Sequence, residues 1–517
     1  MDRKILGVVC AVVQCLVIVE GQEGIVMVTT NVGNIMGQRL TRVFNNQVYS
    51  VDSFTGIPYA ESTHGEGRFM RPRKKSPFHT TFNATKPSVP CPQNIKMDGT
   101  AEGLYVSEDC LSLTVVTPAG ASKEETKKAV MVFIYGGAFQ FGHQNIYYST
   151  SLPGLNDVIY VTMNYRVGMY GFLANRERGL MGNNGLWDQH MALQWVHDNI
   201  ESFGGDVNRV TIFGESAGAA SVIYQSMYEG NRGLFQRAIA ESGSVGDSWT
   251  HSKYPEAMSV LMAQRVGCAA TQNWVACLQQ IGVDTLKEVI GAFAMFSPII
   301  DGEFIIYNPD DLFVDDTLQT GPFADLNLMM GLNSNEGGFQ IPLLSATINS
   351  STQDLIAGIN ENQFNRLMKS FLSYNNKSTT AAMLASIKHA YTNWDMPDDQ
   401  EARRDEFMEF LLDTFTVNTV SRLRSHLQAN GLGTAYMYYF DVKPSWSKAP
   451  AWLKGASHGD EIPYVLGFPP ASFGEGDPAT ILPQTDITIA REAMGYWTQF
   501  AKTGYAIINK ILKEKVT

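Results

Sequence analysis

The chain has 517 residues, 44% of them hydrophobic and 17% charged, a composition that folds around a large core and excludes a disordered or collagen-like protein. Lys and Arg number 39 against 51 Asp and Glu, a formal net charge of -12, and no basic run with interleaved aromatics tracks a phosphate backbone, so nucleic acid is disfavoured as a partner. At ~150 residues per domain the length admits three domains, but no repeat, low-complexity tract or linker divides the chain and one continuous domain over residues 22–517 is expected.

The N-terminus carries Arg3 and Lys4, an apolar run from Ile5 to Val19, and then Val19-Glu20-Gly21, whose small residues fit signal-peptidase cleavage. Residues 1–21 read as a secretory signal. A membrane anchor is the rival reading, but about fifteen apolar residues fall short of the ~20 that span a bilayer. Removing Asp2, Arg3, Lys4 and Glu20 leaves the charge at -12, and the most apolar later stretch, Val289 to Ile300, is short and holds Pro298. A secreted, soluble, extracellular protein is expected.

Cysteine usage agrees with that compartment. Cys10 and Cys15 leave with the signal, and Cys91, Cys110, Cys268 and Cys277 remain as an even set with three pairings open. Loop-closure entropy favours the sequence-local pairing, Cys91 with Cys110 and Cys268 with Cys277, the larger loop contributing roughly 3 kcal/mol. A zinc site is the alternative, but neither pair has CxxC spacing. Sequons at Asn83, Asn349 and Asn376 predict glycosylated surface positions.

Short apolar runs at Ala129 to Tyr135, Val158 to Asn164, Val210 to Phe213, Ala238 to Ala240, Leu326 to Met330 and Ala435 to Phe440 predict buried strands. Helical spacing follows over Asp188 to Ile200 and over 404–428, with Gly431 as a stop. Apolar strands alternating with helices predict an α/β fold, a mostly parallel sheet covered on both faces.

Gly214-Glu215-Ser216-Ala217-Gly218 follows the predicted strand Val210 to Phe213 and opens a helical stretch, Ala219 to Met227. A nucleophilic serine stands on such a tight turn, between glycines, so that its hydroxyl rises above the sheet edge. The hydroxyl needs a base that is oriented by a carboxylate, in the order Ser, acid, His. Of the histidines after Ser216, His251 precedes any plausible acid and His389 and His426 sit in helix-like stretches. His458, in the small-residue loop Gly455 to Asp460, is the candidate base. Glu336, in the Gly- and Asn-rich turn after the strand Leu326 to Met330, is the candidate acid, with Asp301 and Asp441 as competitors. Tyr135-Gly136-Gly137-Ala138-Phe139 supplies small residues where backbone N–H groups approach a developing oxyanion, and Ala217 adds the donor after the nucleophile.

With these segments in view, the sequence resembles the type-B carboxylesterases and cholinesterases of the α/β-hydrolase fold, from about residue 26 to 504. The likeness rests on Phe54-Thr-Gly-Ile-Pro-Tyr-Ala60, Ser107-Glu-Asp-Cys-Leu111, Asn164-Tyr-Arg-Val-Gly168, Phe203-Gly-Gly-Asp206 and Gly214-Glu-Ser-Ala-Gly218. It implies a Ser216, Glu336, His458 triad, an oxyanion hole of Gly137, Ala138 and Ala217, and the two local disulfides; glutamate as the family's usual acid favours Glu336. Gly136 to Phe139 and Tyr496 to Gly504 are similar to segments of bile-salt-activated lipases, and Ser242-Gly-Ser with Trp249 to the cholinesterase acyl pocket. Trp249, Ala292, Ala294 and Phe339 are the candidate substrate-pocket residues, the two alanines widening the pocket toward longer acyl groups. Cholinesterases hold the choline ammonium on a tryptophan between the first two cysteines; the stretch from Cys91 to Cys110 has none, so choline esters are disfavoured. Relatives continue after the Lys-Thr-Gly with a Pro-Asn and a further packed segment, whereas this chain reads Gly504-Tyr-Ala-Ile-Ile-Asn-Lys.

The expected function is a secreted serine esterase acting on small-molecule or lipid esters through an acyl-enzyme, with no metal or organic cofactor. Activity is expected to fall as pH drops through ~6.5, where the base protonates. The alternatives are a lipase or cholesterol-esterase-like enzyme and a non-catalytic adhesion protein on the same scaffold. Family members of the adhesion kind usually lack the serine.

Overall fold

The computed structural model describes residues 24–93, 105–247, 249–290, 295–309, 322–349, 351, 354–374, 380–429, 431–447, 449–467 and 482–506. The predicted signal at 1–21 with Cys10 and Cys15, the pocket residues Ala292 and Ala294, the sequon Asn376 and the segment after 506 lie outside them.

Among the described residues thirteen strands are formed: β1 (Gly24–Thr30), β2 (Gly33–Phe44), β3 (Gln47–Pro58), β4 (Phe82–Asn83), β5 (Ser112–Pro118), β6 (Lys128–Ile134), β7 (Ile159–Met163), β8 (Ala174–Asn175), β9 (Leu180–Met181), β10 (Gly205–Glu215), β11 (Arg237–Glu241), β12 (Asn327–Asn333) and β13 (Ala435–Phe440). One large sheet runs β1-β2-β3-β5-β7-β6-β10-β11-β12-β13, with β4 beside β2, and β8 and β9 pair separately. From β7 through β13 every neighbouring pair is parallel, while β1, β2, β3, β5 and β7 pair antiparallel. This is the mostly parallel, helix-flanked sheet of an α/β-hydrolase fold.

The parallel half was legible because both of its faces are covered: β7 and β11 are buried at every residue, as are β6 and β12 after their first. Such strands read as unbroken apolar runs. The antiparallel flank has a different pattern. In β2 buried and exposed positions mix, and Arg39 pairs with Asp52 of β3 across the ladder, so no apolar run marks these strands. β5 is buried but carries Ser112, Thr114 and Thr117.

Four helices matter for the site: α1 (Asn184–Asn199), α2 (Ala217–Met227), α3 (Gln400–Gln428) and α4 (Gln484–Thr503). α2 is the crossover between β10 and β11 and is buried over ten of its eleven residues. Asp399 caps α3 by accepting the Ala402 N–H, and Gly504 ends α4 at φ 78, a left-handed conformation that suits glycine. The main core surrounds the sheet; a second cluster, with Ile341, Leu355, Phe364, Phe407, Phe410 and Leu411, sits under the long excursion between β12 and β13. That excursion sets α3 against β12 and β13. The C-terminal ends of β10 and β12 and the loop beyond β13 therefore open on one edge of the sheet, where open α/β sheets bind ligands.

Disulfides join Cys91 to Cys110 and Cys268 to Cys277, the sequence-local pairing, which removes the zinc alternative. No helix among the described residues is long and apolar enough to cross a membrane.

Candidate active site

Ser216 stands between the end of β10 and the first residue of α2, with φ 58 and ψ -121. A non-glycine residue pays for this conformation in strain, which persists only where the surroundings enforce it. Here they do: the Ser216 N–H donates to Glu241 O on β11 at 2.8 Å, and its carbonyl accepts from Ala220 N–H in α2. The flanking glycines are steric necessities, since a Cβ on Gly214 would lie 2.3 Å, and one on Gly218 1.9 Å, from Ile134 O of β6.

His458 and Glu336, 122 residues apart in sequence, meet with His458 Nδ1 donating to Glu336 Oε2 at 2.6 Å. Glu336 is fully buried at the end of β12, where its other oxygen accepts the Asn333 N–H at 2.7 Å. The His458 loop is tied to the same turn by the Asn335–Ser457 bridge and by Asn333 Nδ2 donating to Ser457 O at 2.8 Å. Among the described residues the Ser216 hydroxyl has no hydrogen-bond partner. The imidazole Nε2 lies instead 3.1 Å from Glu215 Oε1, a contact that sequence order did not foresee; unliganded catalytic sites often hold such bonds loosely.

The loop after β6 turns left-handed at Gly137, Ala138 and Phe139, with φ of 107, 53 and 62. A Cβ on Gly136 would meet Ser216 Cβ at 2.9 Å, so only glycine lets this loop lie against the serine. Among the described residues the N–H groups of Gly137, Ala138 and Ala217 donate to no protein acceptor, and Ala217 begins α2, whose N-terminus favours negative charge. Such donors are what a tetrahedral oxyanion requires.

Aromatic rings wall the site. Phe339, 53% exposed, lies 4.7 Å from the His458 ring, Phe415 of α3 lies 5.5 Å from it, and Trp249 packs 6.2 Å from the buried Phe139. Of the competing acids, Asp301 accepts the N–H groups of Glu303, Phe304 and Ile305 in a turn, and Asp441 follows β13 beside Gly455, while Glu336 is the one bonded to His458. His426 donates to Leu326 O and His389 packs on Trp394, while His251 is buried. Asn83 and Asn349 are exposed, and Asn83 Oδ1 accepts from the Thr85 hydroxyl of its own sequon at 2.7 Å.

Buried charge sets the electrostatics. Burial pulls the His458 imidazole down, but the charge of Glu215 and the bond to Glu336 outweigh it and raise its pKa to about 9. Burial pushes Glu215 up to about 7 against the pull of His458, and pushes Glu241 up to about 8 against its bond from Trp497 Nε1. Glu461, bonded by Asn333 Nδ2, is raised by burial and by Glu215 and Glu241. Carboxyls so close cannot all ionise, and the group retains protons near neutrality.

The profile of the carboxylesterase family matches residues 25–510. Neuroligin-3 of Mus musculus is 32% identical over 526 residues, covering 92% of this chain and 61% of the relative, and neuroligin-2 of Homo sapiens is 31% identical over 528 residues, covering 94% and 61%. The chain thus spans about three fifths of the length of these curated relatives. With the family profile spanning nearly all of its sequence, this chain belongs to the carboxylesterase family.

Proposed function

We propose that the protein is a serine hydrolase of carboxylic esters. The observation that supports this reading is the Glu336–His458 hydrogen bond, with His458 Nε2 against Glu215, the residue next to Ser216 in its strained turn, together with the unbonded N–H groups of Gly137, Ala138 and Ala217. Ser216 attacks the ester carbonyl while His458 Nε2 takes its proton, and the oxyanion forms against the three N–H groups. Glu336 holds the imidazole tautomer, and His458 passes the proton to the leaving alcohol. Water, deprotonated by His458, then attacks the acyl-enzyme and releases the acid and free Ser216.

The substrate is proposed to be a small-molecule or lipid ester, with Trp249 and Phe339 lining its pocket and choline esters disfavoured. A lipase acting at a lipid surface would use the same residues. The protein is further proposed to be a single-domain secreted glycoprotein, modified at Asn83, Asn349 and Asn376.

The relatives support a second reading at least as well. Similarity to neuroligins favours a cholinesterase-like adhesion protein that binds a protein partner without catalysis. The presence of Ser216, Glu336 and His458 together weighs against it. Hydrolysis of p-nitrophenyl acetate, butyrate and palmitate, with acetylthiocholine alongside, separates the readings when wild type is compared with Ser216→Ala. Turnover that the substitution abolishes supports the hydrolase; a folded wild type inert on all four supports adhesion.

A further inference from the structure

A carboxylate outside the Ser216, Glu336 and His458 set is buried on the segment after β11. Asp247 sits on the segment that leaves the C-terminal end of β11 and passes beneath Ser216. Along it the Ser242 N–H donates to Gly331 O of β12 at 2.9 Å, and a Cβ on Gly243 would lie 2.3 Å from Ser216 O. The segment is thus wedged between the strands that carry Ser216 and Glu336. Asp247 is only 5% exposed. Its Oδ2 accepts the Ser244 N–H at 3.2 Å and its Oδ1 accepts from Asn418 Nδ2, while its carbonyl accepts from the Thr250 N–H and hydroxyl.

Asn418 belongs to α3, with Phe415 three residues before it and Arg422 four after, a spacing that puts all three on one helix face. Phe415 packs on the His458 imidazole, and burial lowers the pKa of the fully buried Arg422, which the charge of Asp247 partly offsets. One face of α3 therefore touches both the imidazole and the second carboxylate. Holding the loop needs only an oxygen to accept the Ser244 and Asn418 donors, which a neutral asparagine would also supply. What an asparagine would lack is the negative charge that the carboxylate carries once it ionises.

We propose that Asp247, held by Asn418, is a positioning residue for His458: when ionised it places a second buried negative charge near the Glu336–His458 pair, and through Asn418 it clamps α3 so that Phe415 stays on the imidazole. The catalytic consequence rests on the hydrolase reading; the effect on the imidazole does not. The charged groups facing Asp247 are Arg422 from α3, Glu336 from the end of β12 and His458 from the loop after β13. His458 also faces Glu215 at the end of β10 and Asp460 on its own loop. Burial pushes Asp247 up to about 7, so it titrates together with its neighbours. Removing its charge takes away an anion that favours imidazolium, and the titration of His458 moves to lower pH.

The test uses the secreted full chain, wild type and Asp247→Asn, with 13C-labelled histidine and the His458 ring signal assigned from His458→Gln. In folded Asp247→Asn the signal is expected to titrate lower by at least about half a pH unit, with kcat on p-nitrophenyl butyrate reduced several-fold and KM held. Asn418→Leu, which leaves Asp247 in place but removes its donor, is expected to move His458 in the same direction and decides the matter should Asp247→Asn fail to fold. A folded variant in which His458 titrates as in wild type overturns the proposal, even with kcat reduced, because Asp247 would then only brace the loop. If wild type hydrolyses no ester the hydrolase reading fails, and the titration alone still decides whether Asp247 acts on His458.

Discussion

His458 lies between two carboxylates with opposite uses. Glu336 binds Nδ1 and fixes the ring, whereas Glu215 faces Nε2, the nitrogen that accepts the Ser216 proton in the proposed hydrolase. Because the pKa of His458 is raised to about 9, the base is protonated below that value and neutral above it. The acid limb of kcat/KM is therefore expected above the ~6.5 of an unperturbed histidine. Glu215→Gln removes the charge that most favours imidazolium, so its limb should move to lower pH; a pH–rate series on both proteins checks this, and coincident limbs would refute the role given to Glu215. At the same scale, Phe339→Ala removes a half-exposed ring from the imidazole edge without touching the triad. It is expected to raise KM for aromatic and long-chain esters more than it lowers kcat, as measured by steady-state kinetics.

Among the elements, β6, β10 and α2 are held at the elbow by backbone contact. A Cβ at position 218 would lie 1.9 Å from Ile134 O, and a strand carbonyl cannot swing away as a side chain can. Gly218→Ala is therefore expected to destabilise the fold by about 2 kcal/mol or more, read from urea unfolding, and to abolish labelling of Ser216 by a fluorophosphonate. Normal stability with normal labelling would show that α2 can shift away from β6. The GxSxG spacing reported this constraint because its glycines answer a local steric demand. β2, β3 and β5 escaped the same reading because polar residues interrupt their apolar runs, and β1, although it holds Ile25 to Val28, is mostly exposed.

Across the whole molecule, stability depends on contacts between segments distant in sequence. Arg166, after β7, donates three bonds to Asp188 of α1, and both side chains are buried. Asp188→Asn leaves a buried guanidinium uncompensated and is expected to cost about 3–5 kcal/mol, measured as a drop in the denaturation midpoint. The Cys91–Cys110 disulfide closes a loop with a separation of 19 residues, so the double substitution to serine is expected to cost about 3 kcal/mol. A loss well under 1 kcal/mol would mean that the reduced, unfolded chain is already constrained there.

What the sequence determined by itself was local and steric: the buried parallel strands, the serine turn with its glycines, and the cysteine pairing that short loops favour. Each is written in a few consecutive residues, because burial on both faces, a tight turn or a short loop constrains neighbours in the chain. Choosing between Glu336, Asp301 and Asp441 was beyond sequence order alone. The family resemblance favoured Glu336, and the fold brings that residue within 2.6 Å of His458. Only the tertiary structure revealed that Glu215 faces Nε2, that Glu241 and Glu461 crowd behind it, and that one face of α3 reaches both His458 and Asp247. The physical reason is that electrostatic coupling depends on distance and burial in space, and residues 122 or 171 positions apart acquire both only when the sheet and its long excursions close.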